Sequence, residues 1–283
     1  MPDCSGCPSK NSCSSANTGN SCPSDVMKKI MPKYGNIKNI IGVASGKGGV
    51  GKSTVTGIIA TTLANNGYKV GVLDADITGP SMPRIFGIHD KRSYMTPVDD
   101  NKNFKFEPVV TKGGIKVISM NLVNEAEEDP VIWRGPVVTR VLNQLYTETN
   151  WEELDYLLID MPPGTGDVNL TLMQSYPLKE LIVVSTPQDM VSMIVKKLVK
   201  MAGKVGVNVR GVVENMAYIE CDCGKKMNVF SRKSSEEHAE YLDLPLIAEL
   251  PINLDLTEAL EEGRAEEYIS DNPLYSSLFS ALY

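Results

Sequence analysis

A glycine-rich loop between an apolar run and a helical pattern constrains the fold of this 283-residue chain more than any other feature. Residues 45–54 read Ser-Gly-Lys-Gly-Gly-Val-Gly-Lys-Ser-Thr, which contains the pattern G-x-x-x-x-G-K-[ST]. Residues 40–44 before it read as a buried strand, and residues 53–65 read as a helix. Glycines let backbone N–H groups turn towards phosphate oxygens, and the helix N-terminus adds its positive end. The pattern therefore predicts a nucleotide site within an α/β fold.

The loop has two lysines with different predicted roles. Lys52 is expected to reach the β and γ phosphates, and the Ser53 hydroxyl is expected to bind Mg²⁺. Lys47 occupies a position that an ordinary phosphate loop leaves free. The string K-G-G-V-G-K-S-T resembles the deviant loop of the MinD/ParA/nitrogenase iron protein class, which implies that Lys47 crosses a dimer interface to the partner's nucleotide. The alternative is an exposed surface lysine. The predicted nucleotide-binding residues of the loop are Gly46, Lys47, Gly48, Gly49, Val50, Gly51, Lys52, Ser53 and Thr54.

Strand-like and helix-like segments alternate after residue 39. Apolar runs typical of parallel strands covered on both faces occur at residues 40–44, 69–74, 157–160, 181–185, 209–214 and 246–250. Helical patterns occur at residues 53–65, 137–148, 168–175, 190–205, 235–242, 254–262 and 274–282. Residues 104–120 read as a peripheral hairpin. This order predicts an α/β fold with a doubly wound, mostly parallel sheet, whose ligands lie beyond the carboxyl ends of the strands.

The composition predicts two unequal parts. Residues 1–35 form a cysteine-rich N-terminal tail and connector with almost no aliphatic side chains before residue 26, so they cannot build a core alone. Residues 36–283 form the predicted P-loop ATPase domain.

Acidic residues end two of the predicted strands. Asp74 and Asp76 alternate at one strand end, so their carboxylates point the same way. Asp76 is predicted to position the water that attacks the γ-phosphate, with Asp74 as the second candidate. A capped turn before Thr78 is the alternative. Asp160 ends the strand at 157–160 and is expected to hold Mg²⁺, through a water molecule.

Later loops have the remaining predicted nucleotide contacts. Residues 161–167 read Met-Pro-Pro-Gly-Thr-Gly-Asp, and two prolines stiffen this segment. In the class that the chain resembles, this loop is switch II, and the Gly164 N–H is the expected γ-phosphate sensor. Asp167 is expected to cap the following helix. By the same resemblance Asn215 binds adenine. The residues expected to line the base or ribose are Pro187 and Gln188.

The role of the six cysteines depends on whether the protein works in a reducing or an oxidising compartment. The N-terminus lacks a basic-then-apolar leader, and no run approaches the roughly 18 apolar residues of a membrane span, so we predict a cytoplasmic protein. In that reducing compartment clustered cysteines bind metal more often than they form disulfides. A net charge of −7 argues against unassisted binding to nucleic acid or to an anionic membrane. The N-terminal candidates for a metal or iron–sulfur site are Cys4, Cys7, Cys13 and Cys22.

Cys221 and Cys223 form a separate pair in a polar segment. Two thiolates do not complete a tetrahedral site, but two chains related by a twofold axis supply four. The pair and Lys47 thus both indicate a homodimer. A metal-free surface turn and a redox pair are the alternatives.

Several longer strings resemble the Mrp/ApbC family of P-loop ATPases over roughly residues 36–283. They are residues 45–54, residues 74–83 (D-A-D-I-T-G-P-S-M-P), residues 133–136 (W-R-G-P), residues 162–167 (P-P-G-T-G-D) and Asn215-Met216 with a cysteine pair shortly after. The resemblance implies slow ATP hydrolysis, a [4Fe–4S] cluster bridged by Cys221 and Cys223 of two subunits, and delivery of that cluster to apoproteins. The spacing of Cys4, Cys7 and Cys13 resembles the ferredoxin-like tail of the eukaryotic cytosolic branch.

The chain departs from that family in two places. The bridging pair of the family is usually C-x-x-C and here is C-x-C, and no cysteine precedes Cys4. Three other functions stay open. A ParA/MinD-like positioning ATPase is disfavoured because residues 271–283 contain no Lys or Arg for a basic membrane helix. A zinc-binding regulatory ATPase and a nitrogenase-type reductase are the other two.

Overall fold

Strands and helices alternate along the part of the chain that the computed structural model describes, which comprises residues 29–77, 79–99, 103–124, 135–221 and 223–279. The strands are β1 (Tyr34–Ser45), β2 (Val70–Asp74), β3 (Tyr94–Pro97), β4 (Phe104–Glu107), β5 (Val109–Val110), β6 (Lys116–Ile118), β7 (Asn150–Asp160), β8 (Glu180–Ser185), β9 (Val209–Glu220), β10 (Lys226–Asn228) and β11 (Leu246–Pro251). The helices are α1 (Lys52–Asn65), α2 (Met82–Ile85), α3 (Met120–Val123), α4 (Gly135–Glu148), α5 (Asp167–Ser175), α6 (Asp189–Lys204), α7 (Ser235–Leu242), α8 (Leu254–Glu261), α9 (Ala265–Asp271) and α10 (Pro273–Leu278).

One mostly parallel sheet forms the centre of the molecule. Its strand order is β10-β9-β8-β1-β7-β2-β6-β5, with β11 also paired to β9. All pairings among β1, β2, β6, β7, β8, β9 and β11 are parallel. Only β5 and β10 join this sheet antiparallel within the described ranges. The predicted α/β class and the mostly parallel sheet are confirmed.

The helices pack in two groups, one for each face of the sheet. Helix α1 contacts α2, α9 and α10, and α8 contacts α2 and α9. In the other group α4 contacts α5, α5 contacts α6, and α6 contacts α7. β2 and β8 are buried along their whole length because helices cover both of their faces. No helix of the described ranges combines the length and the apolar character needed to cross a bilayer.

The segment 104–120 differs from the predicted peripheral hairpin. β4 pairs with β3 in a separate two-stranded sheet, whereas β6 joins the main sheet parallel to β2. Val117 and Ile118 of β6 are fully buried there, so burial of two apolar residues against β2 overrides the local hairpin signal of Gly113-Gly114. The sequence prediction also missed the short helices α2, α3 and α9.

The topology places the nucleotide loop at a switch point of the sheet. β1 lies between β7 and β8, and the chain leaves its carboxyl end at Ser45 to enter α1 at Lys52. Neighbouring connections run in opposite directions from such a strand, which opens a crevice at its carboxyl end. β1 already begins at Tyr34, so it spans the proposed division between residues 35 and 36, which stays a prediction.

Candidate nucleotide and cysteine sites

The P loop, residues 45–52, closes tightly against α6 and β9. A side chain at Gly46 would meet the backbone N–H of Val195 at 3.0 Å, so α6 can approach only a glycine. Gly51 has a φ of 78°, and a Cβ there would overlap the side-chain amide of Asn215. These two positions explain why the loop needs glycine at the first and sixth places of its pattern.

Asp160 is the centre of a buried polar network at the start of α1. Its Oδ2 accepts from Lys52 Nζ at 2.6 Å and from Ser53 Oγ at 2.7 Å. Its Oδ1 accepts from Thr56 Oγ1 at 2.7 Å. Lys52 and Asp160 form a buried ion pair, and separating such a pair without a substitute costs about 3–5 kcal/mol. A nucleotide phosphate is a substitute partner for Lys52.

The donor set around Asp160 fits a hard cation. The Ser53 hydroxyl and the Asp160 carboxylate present oxygen ligands next to each other, and oxygen is the ligand that Mg²⁺ prefers. Thr56 holds the second carboxylate oxygen from the opposite side, which leaves Oδ2 facing Lys52 and Ser53. Ser53 and Asp160, which were each predicted to bind Mg²⁺, therefore lie together, and their metal-binding role stays a prediction.

Asp74 and Asp76 have different environments. Asp74 is fully buried and accepts bonds from the Asp76 and Met82 N–H groups and from Ser119 Oγ, each at 3.2 Å. Burial, and after it the nearby Asp160 carboxylate, raises the pKa of Asp74 to about 7. Asp76 instead lines the main cavity. Asp74 therefore fixes the start of α2, and Asp76 keeps the better position for the predicted role at the attacking water.

A cavity of about 520 Å³ lies over the P loop and has walls from several elements. Lys47, Lys52 and Ser53 line its floor. Arg84 of α2 and the following His89 also line the cavity, and neither was predicted from the sequence. The cavity is large enough for a nucleotide, and the lysines and Arg84 in its lining suit the phosphates.

Lys47 reaches out of the loop towards Gln188. Its Nζ donates to Gln188 Oε1 at 3.4 Å, and the side chain is exposed. Ser45 Oγ donates to the Lys47 carbonyl at 3.0 Å and fixes the backbone beneath it. Gln188 therefore lies beside the loop, and the predicted role of Pro187 and Gln188 at the base or ribose stays a prediction. An exposed Lys47 is compatible with a contact to a second subunit, which stays a prediction.

The proposed switch II loop touches the end of β1. The Gly164 N–H donates to the Ser45 carbonyl at 2.9 Å, so sensing a γ-phosphate requires this bond to be exchanged. Asn169 Nδ2 donates to the carbonyls of Pro162 and Gly164, which ties the loop to α5. The capping prediction for Asp167 was wrong. Asp167 is the first residue of α5, and the cap position belongs to Gly166 because the helix starts one residue earlier than its apolar pattern.

Asn215 connects β9 to the P loop. Its side chain is buried, and Nδ2 donates to the Val50 carbonyl at 2.9 Å. The predicted contact to adenine is not tested by this geometry, but the residue lies against the loop that would hold the phosphates. Met216 follows with a φ of 55°, which is unusual for a long side chain and marks an irregularity in β9.

The cysteine hairpin, residues 218–228, continues from the end of β9 into β10. Cys221 and Cys223 lie at its turn, their Cα atoms are 5.3 Å apart, and their sulfurs are joined as a disulfide. The general expectation that the cysteines do not form disulfides fails for this pair. The Gly224 N–H donates to the Cys221 carbonyl at 2.8 Å, and the Cys221 N–H donates to the Lys225 carbonyl at 3.1 Å. This tight turn directs both sulfurs to one point.

One chain by itself offers only this pair of sulfurs at the hairpin. Within the described ranges no three His, Cys, Asp or Glu side chains are grouped closely enough to hold a metal ion. A four-ligand site at the hairpin would need a second chain, as the C-x-C spacing predicts. Cys4, Cys7, Cys13 and Cys22 lie outside the described residues, as do Thr78, Trp133, Arg134 and Asp222.

A comparison with models of protein families identifies the family of this chain. A model of the ParA group, described as "NUBPL iron-transfer P-loop NTPase", matches residues 36–282. The chain belongs to this family of P-loop NTPases. The family assignment agrees with the resemblance inferred from the motif strings.

Curated members of the family include close relatives. The chain is 70% identical over 284 residues to an iron-sulfur cluster carrier protein of Clostridium perfringens, and the match covers 100% of both chains. It is 40% identical to a protein of the same name from Methanocaldococcus jannaschii, with 93% of this chain and 90% of the relative covered.

Solved structures give the same fold. A nucleotide-binding protein from Archaeoglobus fulgidus, in complex with ADP and with Co found in it, superimposes with a TM-score of 0.72 at 40% identity and covers 86% of this chain and 92% of that one. The cell division ATPase MinD of Pyrococcus furiosus superimposes with a TM-score of 0.61 at 21% identity over 87% of this chain and 98% of its own. The second likeness supports the fold alone.

Sequence reasoning missed Thr56, Arg84 and Glu214. Thr56 lies one helical turn after Lys52, so the spacing could have placed its hydroxyl on the same side of α1. Arg84 follows a string read only as a motif, and nothing in its spacing points to the cavity. Glu214 was assigned to an apolar strand as its last residue, and only the fold reveals that its carboxyl group is buried.

Proposed function

We propose that the chain is an ATP-dependent carrier that binds an iron–sulfur cluster between two subunits and passes it to apoproteins. The main support for this proposal is that strand β9 connects the P loop to the cysteine turn. Asn215, which binds the P loop, and Cys221, which begins the cysteine turn, are six residues apart, or at most about 20 Å of strand. Events at the nucleotide therefore have a short, hydrogen-bonded path to the thiols.

Hydrolysis of ATP is assigned to the groups around the cavity. Lys52 would leave Asp160 for the β and γ phosphates, because phosphate oxygens give it stronger partners. Ser53 and Asp160 would hold Mg²⁺, which offsets phosphate charge in such sites. Asp76 would orient the attacking water, and Gly164 would exchange the Ser45 carbonyl for a γ-phosphate oxygen. Asn215, Pro187 and the remaining P-loop residues would hold the nucleotide.

The cluster is the cargo, and its ligands are assigned to both subunits. Cys221 and Cys223 bind iron only as thiolates, so the disulfide must first accept two electrons from a thiol reductant and release two thiols. Two reduced turns around a twofold axis then supply four sulfurs for a [4Fe–4S] cluster. Lys47 would join the subunits through the partner's nucleotide. A cytoplasmic location fits this requirement for a reducing environment.

The names of the relatives support an iron–sulfur cluster as the cargo. One iron-sulfur cluster carrier protein matches this chain over its full length at 70% identity, and apoproteins that need a cluster are the recipients that such a carrier implies. The cysteines Cys4, Cys7, Cys13 and Cys22 are a second candidate cluster site in the tail. No nucleic acid or membrane partner is proposed.

Anaerobic reconstitution with iron and sulfide tests the proposal. The reduced chain should become a dimer with about four iron atoms at the hairpins and a broad absorbance near about 400 nm. Replacing both Cys221 and Cys223 by Ala should remove those iron atoms and keep ATP hydrolysis. A matched variant with Cys4, Cys7, Cys13 and Cys22 replaced by Ala should keep the hairpin cluster.

The outcomes separate the alternatives. Unchanged iron content in the Cys221 and Cys223 double variant contradicts the assigned cluster site. Zinc at the hairpin after anaerobic purification, with no cluster on reconstitution, favours a zinc-binding regulatory ATPase. A stable dimer that binds nucleotide and no metal favours a ParA/MinD-like positioning function.

A further inference from the structure

Glu214 is a buried carboxyl group for which the proposed mechanism has no role. It lies on β9, its side chain is fully buried, and neither carboxylate oxygen has a hydrogen-bond partner among the described residues. An unpaired buried polar group costs roughly 1–3 kcal/mol, and a charged one costs more. Glu214 lies on the strand that carries both the P-loop contact of Asn215 and the cysteine hairpin, which makes it a candidate functional residue.

The neighbour of Glu214 in the sheet is a second carboxyl group. Glu249 of β11 is its register partner, so both side chains lie on the same face. Glu249 accepts from Ser235 Oγ at 2.6 Å at the start of α7, and its other oxygen lies 3.7 Å from Lys226 Nζ of β10. Lys226 in turn lies 4.0 Å above the ring of Tyr218. Glu249 is therefore bound to α7 and to the cysteine hairpin.

The neighbour of Glu214 along the chain is the residue that holds the P loop. Asn215 points to the opposite face of β9 and donates to the Val50 carbonyl. The backbone of Gly51 lies so close to the Asn215 amide that no side chain fits between them. A displacement of β9 at residue 214 must therefore move Asn215 relative to the loop.

Glu214 changes between its neutral and its charged form near neutral pH. Burial, and after it the Glu249 carboxylate, raises the pKa of Glu214 to about 7. Among the described residues Glu249 is the charged group that acts on it. The partner on β8 is the uncharged Ser185, and the side chains that α6 buries beside the sheet, such as Val191 and Val195, are apolar. The titratable residue buried on α7 is His238.

We infer that Glu214 is a positioning residue that couples the P loop to the cysteine hairpin through its bound proton. The neutral acid lets β9 and β11 pair closely, with Asn215 on the P loop and Glu249 free to hold Lys226. Loss of the proton places the buried Glu214 carboxylate beside the partly buried Glu249 carboxylate, and their repulsion pushes β9 away from β11. The Asn215 contact and the Lys226 contact then weaken together. The P-loop half of this inference rests on the geometry, and the hairpin half rests on the proposed cluster function.

Nucleotide binding by the cluster-free chain tests the first half. Affinity for a fluorescent ATP analogue is measured at intervals from about pH 6 to about pH 8.5 for the wild type and for Glu214→Gln, which mimics the neutral acid. The wild type should lose about 5-fold more affinity than the variant over this range. Any slope common to both belongs to other groups such as Asp74. Two curves that run parallel across the range overturn the inference.

Two further variants control for simple structural damage. Glu180→Gln removes a carboxylate from the neighbouring strand β8, where it pairs with Arg210 at 2.7 Å, and should leave the pH profile of the wild type unchanged. Glu249→Gln removes the carboxylate that helps to raise the pKa of Glu214, and the Gln amide can hydrogen-bond the ionised acid, so the midpoint of the profile should move to lower pH. If Glu214→Gln fails to fold, the Glu249→Gln profile decides alone, and an unmoved midpoint refutes the coupling.

Cluster release to an iron chelator tests the second half. The ATP-induced change in release rate should depend on pH in the wild type and become pH-independent, at its low-pH value, in Glu214→Gln. If the wild type holds no cluster, the proposed function fails. The pH profiles of nucleotide affinity still test whether Glu214 acts on the P loop. If clusters load normally and the release profiles of the two proteins coincide, the inference fails and the proposed function stands.

Discussion

At the scale of single residues, Thr56 is the group whose removal should separate metal binding from nucleotide binding. Its hydroxyl is fully buried and donates to Asp160 Oδ1, so it fixes which carboxylate oxygen faces Ser53. Thr56→Val keeps the shape of the side chain and leaves that oxygen without its donor, which costs about 1–3 kcal/mol. We expect the Mg²⁺ concentration for half-maximal ATP hydrolysis to rise about 10-fold, with a smaller change in the KM for ATP.

Thr56→Ser is the matched control for this prediction, because it keeps the hydroxyl and loses only a methyl group. It should show a Mg²⁺ dependence within about 2-fold of the wild type. A Val variant whose Mg²⁺ titration overlays that of the Ser variant shows that the hydroxyl does not orient Asp160.

A second prediction for a single residue concerns Glu214 and the pH dependence of stability. Its pKa rises from 4.5 to about 7 on folding, so the folded state binds the proton more tightly than the unfolded state. This stabilisation is complete below about pH 4.5 and is lost as the pH rises through about 7. At about 1.4 kcal/mol per pKa unit, the loss is roughly 3 kcal/mol.

Urea unfolding at a series of pH values measures this term. Between about pH 5 and pH 8, the free energy of unfolding of the wild type should fall by up to about 3 kcal/mol more than that of Glu214→Gln. Asp74 contributes a slope of the same sign, and the difference between the two proteins removes it. Equal slopes in the two proteins mean that Glu214 does not retain its proton on folding.

At the scale of elements, the close packing of the P loop against β9 predicts a specific order of glycine effects. Gly49 and Gly51 both have positive φ, 81° and 78°, so Ala strains the backbone at either position by about 1–2 kcal/mol. Only at Gly51 does the added methyl group also collide with Asn215. Gly51→Ala should therefore lower the free energy of unfolding by roughly 3 kcal/mol, and Gly49→Ala by roughly 1 kcal/mol.

Thermal or urea unfolding of the two nucleotide-free variants checks this order. Stability is the proper readout because a methyl group at either position also disturbs phosphate binding. Adding Asn215→Ala to Gly51→Ala should recover part of the lost stability, since the collision partner is removed. Equal losses for the two glycines contradict the close approach of β9 to the loop.

The same scale explains what sequence patterns captured and what they did not. Apolar strands such as β2 and β8 and the loop that precedes α1 are specified locally, by continuous hydrophobic runs and by glycine positions, and so they were predicted. β6 depends on burial against β2, which no local pattern contains. The start of α5 at Asp167 differs by one residue from its apolar periodicity.

The candidate site also contains residues that local sequence specifies and residues that only the fold brings together. Lys52, Ser53 and Asp160 follow from motif spacing, and the fold does bring them together. Glu214 and Glu249 come from strands separated by β10 and α7, and their proximity depends on the parallel register of β9 and β11. Sequence reasoning could identify residues with a chemical motif, but not a pair whose importance arises from burial.

At the scale of the whole molecule, the position of Lys47 predicts that catalysis is shared between two subunits. Its side chain is exposed on the rim of the loop, whereas Lys52 is buried and paired with Asp160. If Lys47 acts on the partner's nucleotide, Lys47→Ala and Lys52→Ala should each abolish ATP hydrolysis as separate homodimers. A mixed dimer, however, contains one complete site, in which the Lys47→Ala subunit supplies Lys52 and the Lys52→Ala subunit supplies Lys47.

Mixing the two inactive variants in equal amounts should therefore restore activity. Random exchange makes about half of the dimers mixed, each with one of two sites complete, so about one quarter of the wild-type rate is expected. Mixing each variant with itself is the control and should restore nothing. If Lys47 instead acts within its own chain, every site in the mixture lacks one lysine, and the mixed sample stays as inactive as its components. The rate of the mixture thus distinguishes a shared site from two independent ones without any structure of the dimer.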